Sequence, residues 1–149
     1  MGKLRDVHLS ALCQDYLARL NHYSRARVLE VRDQRITPQA DPAGLLAKEA
    51  ERLLAAIPPR AYVVLLTVNG VQRSSPELAA WLSALEAHGT AETVFCLGGA
   101  LGLDQQVLAA SHDTLSLGKL TLPHQLARLV LLEQLYRART IQRGESYHK

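Results

Sequence analysis

The run Ala61-Tyr62-Val63-Val64-Leu65-Leu66-Thr67-Val68 constrains this chain more than any other stretch. It is rich in β-branched residues and apolar on both faces, as a strand covered above and below in the middle of a parallel sheet must be. Parallel strands need crossover connections, and the remainder of the chain alternates helical patterns with short apolar runs. A first helix is expected from Asp6 to about Ser24, with Leu9, Leu12, Cys13, Tyr16, Leu17 and Leu20 on one side. A second runs from Pro42 to Ile57 and is stopped by Pro58-Pro59. Val28-Leu29-Glu30-Val31, Thr93 to Leu97 and Thr114 to Leu117 read as further strands, which makes four with the central one. Asn69-Gly70 is expected to end the central strand, and Ser75 to cap the helix opened by Ser74-Ser75-Pro76-Glu77. A short helix starts at Leu101 or Asp104, and a last helix runs from Pro123 to about Arg143. The fold class is α/β, a parallel sheet with helices on both faces, in a single domain over residues 1–149.

A chain of 149 residues can bury one proper core, and its 48% hydrophobic and 21% charged composition is ordinary for a soluble globular protein. No apolar run approaches a membrane span, and the first residues lack a signal-peptide apolar region, so a cytoplasmic protein with no membrane partner is expected. Cys13 and Cys96 stand apart from each other and from any metal-ligand spacing, and read as reduced thiols, Cys96 as a small core residue. No metal site is expected. Charge is uneven. Residues 1–35 carry seven Lys/Arg against four Asp/Glu, residues 36–118 four against eight, and residues 119–149 six against two. The basic ends either form a phosphate-attracting face or are ordinary solvated helix charge.

The last helix has apolar residues at Leu126, Leu129, Val130, Leu131, Leu132, Leu135, Tyr136 and Ile141, too many for one stripe. Such a helix is buried on more than one side, and one of those sides is expected to be a homodimer interface. Gly98-Gly99-Ala100-Leu101-Gly102 follows a strand but lacks the dinucleotide-binding glycine spacing. It serves either as a tight turn or as a place where a ligand approaches the backbone at a strand end. Leu115-Ser116-Leu117-Gly118-Lys119-Leu120-Thr121-Leu122-Pro123 likewise offers backbone groups and leucines to a flat ring, or is simply a packed strand-to-helix connection. His124 sits at the helix N-terminus, and Arg128 lies one turn on along the same face; the pair either contacts RNA or a cofactor carboxylate, or His124 serves in structural capping or packing. Arg137, Arg139 and Arg143 continue a basic series, with Lys3, Arg5 and Arg25 as weaker candidates. Glu133, among apolar neighbours, is expected to pair with an arginine. The chain closes on Tyr147-His148-Lys149, a phenol, an imidazole and an ammonium in a row or else a frayed polar tail.

The order Val94-Phe95-Cys96-Leu97-Gly98-Gly99-Ala100-Leu101-Gly102-Leu103, then Leu115 to Gln125, then Glu133-Gln134-Leu135-Tyr136-Arg137-Ala138 and Arg143-Gly144-Glu145-Ser146-Tyr147-His148-Lys149, resembles one family. It is similar to the RlmH-type pseudouridine N3-methyltransferases of large-subunit ribosomal RNA, in the SPOUT (trefoil-knotted) superfamily. The resemblance spans the chain and is strongest after Ala61. It implies a C-terminal trefoil knot, a homodimer, S-adenosylmethionine as cofactor, and N3 methylation of a pseudouridine in 23S ribosomal RNA on the assembled ribosome. By position it implies cofactor contacts at Leu66, Gly99, Gly118, Lys119, Leu120, Thr121, Leu122 and Pro123, with Gly70 shaping the neighbouring loop. It gives the tail a catalytic role. His148 is the candidate for removing the N3 proton or orienting the base, Tyr147 for stacking on or hydrogen-bonding it, and Lys149 for holding a phosphate. Arg128, Arg137, Arg143, Lys149 and His124 are the implied RNA contacts.

The chain departs from that family at its start. Members usually begin with a short apolar strand before a Val-Gly-Lys-like turn, whereas this chain begins Met1-Gly2-Lys3, so the first family strand is expected to be absent. A misassigned start would account for it. Arg139 and Ser146 also replace more usual residues, without touching the chemistry. The alternative to an enzyme is a non-catalytic RNA- or ribosome-binding α/β-knot module, and a third reading is a small-ligand-binding α/β protein.

Overall fold

The computed structural model describes residues 4, 6–31, 41–98 and 102–149. In chain order they form α1 (Val7–Leu20), α2 (Pro42–Ala56), β1 (Tyr62–Gln72), α3 (Ser75–Ala87), β2 (Thr93–Leu97), α4 (Gln105–Ala109), β3 (Asp113–Ser116) and α5 (His124–Gln142). As its two apolar faces demand, β1 is the central strand of a sheet ordered β2-β1-β3, parallel to both neighbours. Alternate residues feed opposite layers. Val64 packs with Leu78, Ala79 and Leu82 of α3, with Leu115, and with Leu131 and Ala138 of α5. Val63 and Leu65 pack with Ala50 and Leu53 of α2, Cys96 and Val107. Val64 and Leu65 are fully buried, each such side chain contributing about 1.5–3 kcal/mol. Asp6, Asp41 and Asp104 cap α1, α2 and α4 by accepting hydrogen bonds from first-turn backbone N–H groups.

Three expectations are corrected. Residues 28–31 are not a strand, so the described residues hold three strands and not four. A strand exists by its ladder, and a cavity lined by both residues 25–29 and β2 separates this segment from the sheet. Ser74, not Ser75, caps α3, because the Ser-x-x-Glu spacing builds a reciprocal capping box with Glu77; Ser75 Oγ instead bonds Gln134 at 2.7 Å. Asn69-Gly70 does not end β1. The strand continues to Gln72 with an irregularity, so that Leu115 is the register partner of both Leu66 and Val71. Gly70 makes this possible. A Cβ there would lie 2.7 Å from the carbonyl carbon of Leu115, so only glycine lets the two backbones approach so closely.

The many apolar positions of α5 are largely used within the chain, since the helix packs against both α1 and α3. No helix among the described residues is long and apolar enough to cross a membrane.

Candidate functional site

The carboxyl ends of β1 and β3 meet the start of α5, the end of a parallel sheet where α/β folds place ligands. Ser116, the last residue of β3 and only 4% exposed, organises this end. Its hydroxyl lies 3.0 Å from the carbonyl oxygens of Val68 and Gly118 and accepts from the Gly118 N–H at 3.2 Å. The segment after β3 is thereby tied back to β1. Gly118 has φ +138°, a conformation that favours glycine, and it turns the chain outward. The result is a cleft of about 110 Å³ between β1 and the segment that joins β3 to α5.

Leu66, Gly118, Leu120, Thr121 and Leu122 line this cleft together, with Thr67, Val68, Leu115, Leu117 and Ala127. Lys119 and Pro123 are exposed and belong to the same segment without lining the cleft, Pro123 standing at the N-cap of α5. Gly99 lies outside the described residues. Sequence reasoning missed Ser116, a buried hydroxyl at the end of β3. Among the described residues the lining is mostly apolar side chains, with two threonines and backbone polar groups, and it includes no charged side chain. Leu120 is 81% exposed at its rim. That chemistry suits a flat, uncharged heteroaromatic ring held between leucines and read by backbone groups at its edge.

The tail is held elsewhere. Gly144 (φ +68°) ends α5 with its N–H donated to Ile141 O at 3.0 Å, while Glu145 N–H reaches Thr140 O at 2.9 Å. This is the paired hydrogen-bond pattern of a glycine helix terminus, and it reverses the chain. Tyr147 therefore folds back on α5. Its ring meets Tyr136 edge-on at 4.7 Å, Arg137 lies over it at 4.7 Å, and its hydroxyl donates to Glu133 Oε1 at 3.1 Å beside Tyr16 at 3.3 Å. Burial first, then hydrogen bonding to Tyr16 and Glu133, pushes the phenol above its ordinary range, so it is a neutral donor at physiological pH. The frayed-tail alternative does not hold for Tyr147, whereas His148 and Lys149 beyond it are exposed. Glu133 is six residues from the cleft-lining Ala127 along α5, about 9 Å at 1.5 Å per residue. Within one chain Tyr147 is thus seated beside α5 beyond the cleft rather than in it.

The arginines divide sharply. Arg128 bonds Glu30 at 2.8 Å with a side chain only 12% exposed, Arg137 pairs with Glu133 at 2.5 Å, and Arg139 pairs with Glu86 at 2.5 Å. These three are occupied by the fold, and Glu133 pairs with an arginine as expected. Arg143 and Lys149 are exposed, as is Arg25; Lys3 and Arg5 lie outside the described residues. His124 is half-buried in the first turn of α5. Cys96 is core, its thiol pushed up to about 11 by burial, and it is no nucleophile.

Comparison with known proteins agrees with this arrangement. The family described as "Predicted SPOUT methyltransferase" matches residues 1–148. The chain is 44% identical over 152 aligned residues to ribosomal RNA large subunit methyltransferase H of Listeria monocytogenes EGD-e, covering all of this chain and 96% of that one. It is 42% identical to the protein of the same name from Bacillus thuringiensis Al Hakam, with the same coverage. A ligand cleft at the carboxyl ends of a parallel sheet, an α/β core and a match across essentially the whole length converge on one conclusion: the chain belongs to the SPOUT methyltransferase family.

Proposed function

We propose that this protein transfers a methyl group from S-adenosylmethionine to N3 of a pseudouridine in 23S ribosomal RNA, on the assembled ribosome, as a cytoplasmic homodimer. The observation that carries the reading is the convergence of Leu66 with residues 118–122 in one cleft, pinned by Ser116. The names of the relatives support ribosomal RNA as substrate, and the RlmH-type motifs support the pseudouridine N3 position.

When bound, S-adenosylmethionine supplies an electrophilic methyl on a sulfonium. Leu66, Leu120 and Leu122, with the backbone of residues 118–121, would hold its adenine, and Gly99, Lys119 and Pro123 would complete the proposed contacts. Tyr147 fixes the tail through Glu133 and Tyr136, and so positions His148. A stacking role for Tyr147 requires its ring to leave that seat. His148 accepts the N3 proton on a ring nitrogen, or orients the base, so that N3 attacks with its lone pair free. Lys149 and Arg143 hold RNA phosphates. His124, Arg128 and Arg137 join them where the RNA displaces their present partners.

The seat of Tyr147 outside the cleft, about 9 Å of helix beyond Ala127, supports a site built from two chains, the cleft of one protomer and the tail of the other. Val68, Val71, Leu120 and Leu126 are exposed apolar residues at this end of the molecule and supply the surface for the second copy.

Labelled methyl transfer to ribosomes lacking the modification tests the reading. Label in large-subunit RNA, abolished by His148→Ala, is the expected result. Absence of label from folded, dimeric protein contradicts it. One observation favours the non-catalytic RNA-binding module as second reading: the cleft, at about 110 Å³, is smaller than the ~300 Å³ of ordinary ligand pockets. Salt-sensitive RNA binding without turnover would decide for that module.

A further inference from the structure

Among the described residues none from α1 lines the cleft; the helix packs on α5. The segment that follows α1 is nevertheless built with care. The Asn21 side-chain amide donates to Leu17 O at 2.8 Å and to Ala26 O at 3.0 Å, and its Oδ1 accepts from the Ala26 N–H at 2.9 Å. An asparagine that uses both ends of its amide on backbone groups takes the place of a backbone ladder and closes the turn over residues 21–26. The N–H groups of Tyr23 and Ser24 both reach Leu20 O, at 3.0 and 3.1 Å. Tyr23 is therefore carried on a closed turn and not on a free loop.

That turn presents Tyr23 to the C-terminal tail. Tyr136 of α5 is the common neighbour of three tyrosine rings, Tyr16 and Tyr23 at 6.0 Å each and Tyr147 at 4.7 Å. With its ring against Tyr136, Tyr23 donates its hydroxyl to Glu145 Oε2 at 2.5 Å. That hydrogen bond pushes the phenol up to about 12, so it stays a neutral donor at physiological pH. Glu145 is the first residue beyond the Gly144 reversal, and its own N–H is already held by Thr140 O at 2.9 Å. Two residues on, the Tyr147 hydroxyl is held by Glu133 and lies beside that of Tyr16. The chain is gripped on both sides of Ser146, and the exposed His148 follows directly. One anchor lets a chain swivel about it; a second, two residues away, removes that freedom.

We propose that Tyr23 is a positioning residue for the tail: from the turn closed by Asn21 it grips Glu145 and, with Tyr147 seated on Glu133, sets the direction in which the chain leaves toward His148. Its consequence for catalysis rests on the methyl transfer proposed above. On this account α1 serves the reaction without touching cofactor or base, by orienting the imidazole that does.

The test uses Tyr23→Phe, which removes the hydroxyl and leaves the ring on Tyr136. Backbone order parameters from nitrogen-15 relaxation at Ser146 and His148 are expected to fall from about 0.85 to below about 0.6. The kcat for methyl transfer to ribosomes should fall about fivefold or more, with KM for S-adenosylmethionine unchanged. Glu145→Ala should match Tyr23→Phe, and the double variant should be no worse than either. Glu145→Gln keeps an acceptor for the phenol and should keep the order parameters of the parent. Order parameters unchanged in Tyr23→Phe, or lost with kcat unchanged, overturn the proposal. If the parent protein transfers no methyl, the proposed function fails, and the order parameters alone decide whether Tyr23 holds the tail.

Discussion

The two sides of the sheet are finished in opposite ways. On the β3 side backbone is brought onto backbone between β1 and β3: Gly70 lets β1 ride against Leu115, and Ser116 ties β1 to the segment after β3. At the β2 edge the helices of both layers extend past the last strand and enclose a cavity of about 770 Å³. The β3 side carries the cleft, and its close contacts come from two small residues, Gly70 and Ser116. The β2 side is bounded by the cavity.

The comparison breaks first at Gly70. Gly70→Val forces a side chain into the Leu115 backbone, and a loss on the order of 3 kcal/mol or more is expected in urea denaturation. A mild loss would show that the close approach at the β3 edge is dispensable. Ser116→Ala removes a buried hydroxyl bridging Val68 and Gly118, at about 1–3 kcal/mol. It should also weaken S-adenosylmethionine binding about tenfold, measured by calorimetry, because the cleft wall is no longer held. Gly144→Ala strains the positive-φ turn by about 1 kcal/mol, yet methyl transfer should fall further than stability, since the seat of Tyr147 depends on that reversal.

Smaller effects sharpen the picture on the surface. Arg143→Ala and Lys149→Ala should each lower the slope of log affinity against log salt by about 1 while leaving the fold untouched, whereas Arg128→Ala should cost stability. The tail cluster also sets a pH limit. Hydrogen bonding to Glu145 pushes Tyr23 up to about 12, and Tyr147 is raised chiefly by burial. The folded state holds both phenols neutral, so their contribution is complete below pH ~10 and is lost as pH rises through the folded values. Absorbance titration should show the Tyr23 and Tyr147 phenols ionising above the ordinary phenol range.

Much of this was legible in the chain. The central strand, the helices that follow it and the cleft residues Leu66, Gly118, Leu120, Thr121 and Leu122 all follow from apolar runs, turn residues and family motifs, which are local signals. What was not legible depends on long-range placement. Residues 28–31 have strand composition but join no ladder of the sheet among the described residues. Gly70 reads as a strand end and is instead a crossing, visible only once Leu115 lies under it. Tyr147 and Arg137 look like free chemistry at a polar terminus, and become anchors only when Gly144 folds them onto Glu133. The apolar surplus of α5 reads as an interface, and much of it is taken by α1 and α3.

The most direct measurement mixes two variants in one dimer population. Leu120→Asp disables the cleft at an exposed position that leaves the fold alone, and His148→Ala disables the tail. Each alone should lack methyl transfer. After exchange of protomers about half of the dimers are mixed and each holds one intact site, so about a quarter of wild-type activity is expected if cleft and tail come from different chains. Activity that stays at the level of the single variants, in dimers shown to have exchanged, would contradict the two-chain site.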